Sequence, residues 1–502
     1  MANSNNNTDT LQINKQINKL QPNKLLELIP RSLAQEVLNY GVSLGADFVE
    51  IYAELKVLTG ISLDDRKIAE LSNGSHSGVG IRVVKGKTTG YAHTADFELK
   101  SLLKTTAIAA SFDKSDDPEL KFNIDTGLIT DPSIKASDFQ HDSVSETFLN
   151  PNEINKSKKV DLLKTADEFA RNYNDNINQV SVSYGDSIKH ILIANSEGIY
   201  VYDSQTRTNF RVSAVALGDG GLQTGFESVA KTLGFELFDE IDLETIATEA
   251  ARRASVKLEA KPAPSGEVPI ILASGSGGIL FHEACGHGLE ADHIAKKSSV
   301  YTDMIGKQVA SKYVTLVDDG TYSNEWGTFN FDDEGHRATK SVLIKDGILE
   351  DYMYDKMRGN GAKRQDVGGN GRRQSYRYLP MVRMTNTYLL DGDSTKEDII
   401  QDTEYGVYIA QLGGGQVNTA TGDFVFGTTE AYLIENGKLT YPLRDANLIG
   451  NGPEILKKID AVGNDFKMSP GTCGKDGQQV PVGCGQATLR VTGITLGGTS
   501  HQ

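Results

Sequence analysis

The run His282-Glu283-Ala284-Cys285-Gly286-His287 puts two imidazoles and a carboxylate within six residues. A metal-dependent hydrolase needs these groups. Neutral imidazoles hold a cation while leaving a position open for water, and a carboxylate takes that water's proton. In the H-E-x-x-H pattern the histidines stand at i and i+4 on one helical face; here they stand at i and i+5. At about 100° per residue, the fourth residue returns to within about 40° of the first side chain, whereas the fifth lies about 140° away. A regular helix through His287 would splay the pair. Chelation by both therefore requires a local irregularity. Either a π-bulge inserts one residue into the turn, or the helix ends at Gly286 and His287 sits in looser backbone.

Local sequence leaves the third donor open. His293 lies six residues beyond His287, the step by which some zinc peptidases place their third histidine. Cys473 and Cys484 are remote in sequence, but thiolates bind zinc well. Cys285, between the histidines, is read as a packed helix residue.

The surrounding pattern must position this run. An apolar strand is expected over 268–272, followed by Ser274-Gly275-Ser276-Gly277-Gly278 and then the helix bearing the motif. A glycine-rich turn before a helix can hold phosphate, but the G-x-x-x-x-G-K-[ST] pattern is absent. Upstream, the order is expected to begin near Pro30, with Ser32 and Gln35 as a capping box and Gly45 closing the first helix. Val49, Ile51, Ala53 and Leu55 alternate with Glu50, Tyr52 and Glu54, which reads as a half-buried strand with a polar outer face. A hairpin turn is expected at Lys85-Gly86-Lys87, a loop over about 137–155, helices over 160–171 and from a cap at Asp242, and separate strands over 180–184, 191–194, 199–202 and 210–217. Lys261-Pro262-Ala263-Pro264-Ser265-Gly266 marks a boundary. Beyond it, Asp346-Gly347 and Asn436-Gly437 signal hairpins. The expected organisation is a flexible tail over 1–29, an N-terminal α/β domain with a mixed sheet over 30–260, and a β-rich domain over 267–502. The class is α+β, with a barrel or curled antiparallel sheet carrying the metal-site helix.

Composition narrows the partners. With a net charge of −16, the surface repels phosphate backbones and anionic lipid, so neither nucleic acid nor membrane is an expected partner. Three cysteines in 502 residues argue against a disulfide framework and for a reducing, cytoplasmic setting. The first residues, rich in Asn, Gln and Lys, lack the apolar core of a secretory signal.

Several segments together resemble the TldD/PmbA peptidase family, on its active, TldD-like side. They are Phe281 through Glu290, Val317-Asp318-Asp319-Gly320, Asp332-Asp333-Glu334-Gly335, Gly369-Asn370-Gly371-Arg372-Arg373, Pro380 through Thr387, Gly413-Gly414-Gly415-Gln416-Val417, Val462-Gly463-Asn464-Asp465 and Cys473-Gly474-Lys475-Asp476-Gly477-Gln478. The resemblance is densest from about Gly275 to Gly498; Gly45-Ala46-Asp47 and Gly78-Val79-Gly80 carry it more weakly into the N-terminal half. It implies zinc held by His282, His287 and Cys473, with Glu283 as general base. It places no ligand at His293 or Cys484. This chain departs from the pattern at Cys484, where an apolar residue is expected, and at Ala487, where proline is expected. The family's paired subunits and enclosed site imply a homodimer, or a heterodimer with a TldE-like subunit, acting on unfolded or small peptides. The competing readings are a zinc hydrolase for another amide and a non-catalytic peptide-binding or scaffold subunit of such a complex.

Three further features bear on substrate. Residues 407–412 and 416–417 bracket Gly413, Gly414 and Gly415, so that an extended peptide could add beside Gly413–Gln416 as an extra strand. The stretch 358–383 holds seven basic residues and one acidic, suited to a substrate carboxylate or to local ion pairs. Tyr376 and Tyr378 are weak candidates for stabilising an oxyanion.

Overall fold

The computed structural model describes residues 24–111, 147–219, 221–364, 367–418 and 420–498. Residues 1–23 of the expected tail and 137–146 of the expected loop lie outside them. The rest of that tail is folded: helix α1 (Lys24–Leu28) buries Leu25, the adjoining Ile29 is equally buried, and the Tyr200 hydroxyl donates to the Ile29 carbonyl at 2.7 Å.

Helix α2 (Arg31–Ser43) starts after Pro30 without a side-chain cap, and Gln35 bonds Asn39 instead, so the expected capping box does not form. Strands β1 (Phe48–Asp64), β2 (Lys67–Lys85) and β3 (Thr88–Thr94) follow, then helices α3 (Leu99–Ala109) and α4 (Lys156–Arg171). Next come β4 (Ile177–Asn195), β5 (Tyr200–Gly218), β6 (Gly221–Lys231) and α5 (Leu243–Val256), the last capped by Asp242. The four short strands expected between 180 and 217 are therefore two long ones. The sheet runs β3-β2-β1-β4-β5-β6, and every pairing is antiparallel rather than mixed.

β1 departs from its expected half-burial. Val49, Ile51, Ala53 and Leu55 pack beneath α2 and α3. The opposite, polar face is buried too, because the C-terminal half covers it. Glu50 is clamped by Arg82 and Arg373, each at 2.6 Å, and the Tyr52 hydroxyl lies 3.1 Å from Asp333. Buried charges persist only when paired and hydrogen-bonded. Glu50, which looked solvent-facing, joins the two halves.

The C-terminal half has two large sheets and a two-stranded pairing of Gly371–Arg372 with Met381–Val382. Its strands are β7 (Gly266–Leu272), β8 (Leu316–Asp319), β9 (Lys340–Lys345), β10 (Ile348–Leu349), β11 (Asn386–Leu389), β12 (Tyr405–Val417), β13 (Asp423–Glu435), β14 (Asn447–Asn451), β15 (Lys467–Lys475), β16 (Gln478–Gln486) and β17 (Leu489–Gly497). The order β12-β7-β17-β14-β13 closes through pairing of β12 with β13 into a five-stranded barrel. A second sheet runs β10-β9-β8-β11-β16-β15. Asp346-Gly347 joins β9 to β10, and Asn436-Gly437 leads from β13 into Lys438–Arg444, the two hairpins expected from sequence. The class is α+β. Among the described residues no helix is long and apolar enough to cross a membrane.

Candidate metal centre

Strand β7 leaves the barrel into the glycine-rich turn, whose ends are tied to β16: Gly275 N–H donates to the Gln486 carbonyl at 2.9 Å, and the Gln486 amide donates to the Ala273 carbonyl at 2.6 Å. Helix α6 (Gly278–Phe281) then presses on β16 so closely that a Cβ at Gly278 would lie 2.5 Å from the Cys484 carbonyl carbon. One turn later the backbone becomes a π-turn over His282–Gly286, where the His287 N–H donates to the His282 carbonyl, and a 3₁₀ turn completes His287–Leu289. This is the first of the two irregularities that the i,i+5 spacing requires. Gly286 allows it to pack, since a Cβ there would stand 2.2 Å from the Met384 sulfur.

The π-turn brings the imidazoles of His282 and His287 face to edge, with ring centroids 4.9 Å apart. Cys473, on β15, reaches back across 186 residues and sets its Sγ 3.6 Å from His287 Nε2. One donor atom from each of His282, His287 and Cys473 falls within 4.8 Å of the other two, and all three residues are buried. Glu283 stands beside this group, with Oε2 4.0 Å from His287 Nε2 and a side chain 20% exposed.

Electrostatics favour the thiolate at Cys473 and, without a cation, the protonated form of both imidazoles. Burial would raise the Cys473 thiol, but His282 and His287 pull its pKa down to about 4, favouring the thiolate that binds metal. Burial also opposes charge on His287, yet the Glu290 carboxylate beside it lifts its pKa to about 9. His282 Nδ1 is buried without a hydrogen-bond partner. Two imidazoles and a thiolate form a donor set suited to zinc, and a cation among them would neutralise the thiolate. The residues present thus fit the metal that the resemblance implies.

Two residues without an assigned role hold this group in place. Glu290 accepts from His287 Nδ1 at 3.1 Å, the carboxylate–histidine contact that fixes an imidazole's tautomer and orientation. Lys475 donates to Glu290 and Asp292, each at 2.8 Å. Burial alone would raise Glu290, but His287 and Lys475 bring its pKa down to about 2. The signal was local: Glu290 is at i+3 from His287, and Lys475 is two residues past Cys473 on the same strand face. Glu290→Gln should leave the fold intact and weaken metal binding by about 10- to 100-fold, read by competition with a chelator of known affinity. Unchanged affinity would remove Glu290 from the site's support.

The other candidates fall elsewhere. His293 Nε2 lies 3.9 Å from Glu290 and groups with Glu290 and Asp292, not with the three donors. Cys484 is buried on β16 near His282, and with Cys473 it outweighs burial to hold that imidazole's pKa well above the usual range. Cys285 packs inside the turn, its thiol donating to the Phe281 carbonyl at 3.1 Å. Gly413, Gly414, Gly415 and Gln416 lie on barrel strand β12, where pairing with β13 is interrupted between Leu412 and Gly415; β12 itself packs against the π-turn. Tyr376 is buried against the first sheet, its carbonyl accepting from Tyr91 at 2.7 Å, which is a joint between the halves.

A closed barrel, a second sheet and a helix-borne histidine pair completed by a remote thiol describe an α+β protein with a candidate metal centre at its core. The chain belongs to the PmbA/TldD family: the PmbA/TldA metallopeptidase domain 1 matches residues 49–111, the central domain 149–258 and the C-terminal domain 265–498. It is 38% identical over 467 residues to the metalloprotease TldD homolog of Buchnera aphidicola from Acyrthosiphon pisum, covering 90% of this chain and 93% of that one. It is 39% identical over 464 residues to the metalloprotease TldD homolog of Haemophilus influenzae, with the same two coverages, 90% and 93%. These names support a metallopeptidase-type function. Among solved structures, a Thermotoga maritima protein described as a candidate modulator of a DNA gyrase shares the fold at TM-score 0.74 and 20% identity, over 93% of this chain and 99% of that one. TldE from Thermococcus kodakarensis does so at TM-score 0.72 and 19% identity, over 92% and 99%.

Proposed function

We propose that this chain is a zinc-dependent peptidase that hydrolyses unfolded or small peptides, with zinc held by His282, His287 and Cys473 and Glu283 as general base. The observation that carries this reading is the convergence of those three buried donors within 4.8 Å, beside a carboxylate that is not one of them. Zinc bound there would lower the pKa of water towards about 7 and polarise the scissile carbonyl. Glu283, partly exposed, takes the proton from attacking water and returns it to the leaving amine. Glu290 and Lys475 keep His287 oriented throughout. The break in pairing at Gly413 and Gly414, next to Gly415 and Gln416, offers backbone to an extended peptide.

We place the protein in the cytoplasm, in keeping with its three free cysteines, and pair it with a second copy or a TldE-like subunit, in keeping with the shared fold of TldE. The chain reads as an N-terminal unit over 30–260 and a metal-bearing unit over 267–502. Metal analysis of the purified protein, combined with peptide cleavage before and after chelation, tests the function. Stoichiometric zinc and cleavage restored by zinc are expected. Absence of bound metal, or cleavage indifferent to chelation, would overturn it.

A further inference from the structure

A cavity of about 270 Å³ lies between the first sheet and the β15–β16 hairpin. Lys56, Lys189 and Arg207 line it from the first sheet, and Arg372 and Arg373 line it from the C-terminal half. Two of these charges are answered: Lys189 lies 3.2 Å from Asp333, and Arg373 lies 2.6 Å from Glu50. The other three form no ion pair and feel carboxylates only at longer range. Arg207 donates to Gln205 Oε1 at 2.8 Å and to the carbonyls of Thr328 at 3.0 Å and Trp326 at 3.2 Å. Arg372 donates to the carbonyls of Met384 at 2.6 Å and Pro481 at 2.8 Å, and stacks 5.1 Å over the Phe329 ring. Every one of these acceptors is neutral. Among the described residues, no carboxylate lies within ion-pair distance of Lys56, Arg207 or Arg372, although both arginines are buried.

An unanswered buried cation is costly, and here several share one cavity in a chain of net charge −16. Burial pulls both guanidiniums down to about 10; Arg372 adds to the effect on Arg207, and Asp333, Asp203 and Asp318 offset it only in part. An anion seated between them would relieve that cost. Planar guanidinium forks match a carboxylate edge to edge. The cavity is too small for a nucleotide, and Asp333 on its wall disfavours a doubly charged ligand.

We propose that this cavity binds the carboxylate of an acidic peptide, whether from its C-terminus or from an Asp or Glu side chain. The proposal deepens the peptidase reading and rests on it for the identity of the ligand. The wall connects to the metal centre: Pro481, which receives Arg372, pairs across the hairpin with Thr472, the neighbour of Cys473.

The test measures binding of fluorescent hexapeptides to the full-length, zinc-loaded protein by anisotropy. The set comprises an acidic peptide, the same peptide amidated at its C-terminus, a version with Gln for every Glu, and one carrying both changes. The acidic peptide should bind about tenfold more tightly than a fully neutral one. Loss of the preference on amidation alone identifies the terminal carboxylate, and loss only with Gln identifies the side chain. Lys56→Gln and Arg207→Gln should erase the preference while zinc content stays unchanged. Arg207→Gln also removes bonds to backbone carbonyls, so Lys56→Gln, which loses no such bond, guards against a folding artefact. Equal affinity for acidic and neutral peptides, or a preference untouched by Lys56→Gln, would overturn the proposal. A cavity-dependent preference without cleavage of any peptide would uphold the anion site and reject the peptidase reading.

Discussion

Glu283→Gln should keep its metal and lose about 10²- to 10⁴-fold in peptide turnover. Glu283 is not one of the three donors, and its oxygen is 4.0 Å from His287 Nε2, so an amide of the same shape disturbs no ligand. At 20% exposure the change buries no new polar group and costs the fold little. What disappears is a basic oxygen able to take a proton. The measurement pairs kcat with metal content on the same preparation. Full activity with bound zinc would assign the base to another residue, and loss of zinc would make Glu283 a ligand.

Cys473→Ser should abolish stoichiometric metal binding and, with it, activity. A serine hydroxyl does not ionise near neutral pH, whereas this thiol, held between two imidazoles, is pulled down to about 4. Serine is close in size, so the metal-free protein should lose only about 1–3 kcal/mol from burying a hydroxyl. The discriminating readout is thermal. Added zinc should raise the unfolding temperature of the wild type, because the ligand binds only the folded state, and should leave Cys473→Ser unmoved. Cys484→Ser should respond as the wild type does, since Cys484 is outside the donor group. A zinc-stabilised Cys473→Ser would sink the assignment.

The histidine spacing foretold the deformed turn because helical geometry admits few ways to align i with i+5. The hairpins at Asp346-Gly347 and Asn436-Gly437 were legible for a similar reason: short-range backbone preference decides them. Long-range contacts were not legible. Glu50 and Glu54 alternate with apolar residues as solvent-facing acids do, and only the docking of Arg373 and Asp333 reveals that their face is buried. The long β4 and β5 were broken into pieces because Asp186, Ser187 and Thr208 interrupt the apolar alternation, yet they lie in unbroken register within the sheet. Local spacing alone left His293, Cys473 and Cys484 as rival donors, since nothing near His287 encodes which distant strand folds back. Glu290 was within the quoted motif, but its role depends on the direction of the His287 ring.

The separation between the second and third donors has a consequence for the order of synthesis. His287 is added to the chain 186 residues before Cys473, and His282 earlier still. Until then the nascent chain holds the two imidazoles without the Cys473 thiolate, and Cys285 between them points instead to the Phe281 carbonyl, so the chelate is weak and unselective. With the proposed ligands, metal capture at full affinity would wait for β15 to dock, and the finished centre would act as a checkpoint that only a nearly complete chain can pass. A polypeptide arrested anywhere in that interval would carry the recognisable histidine motif and yet be inert.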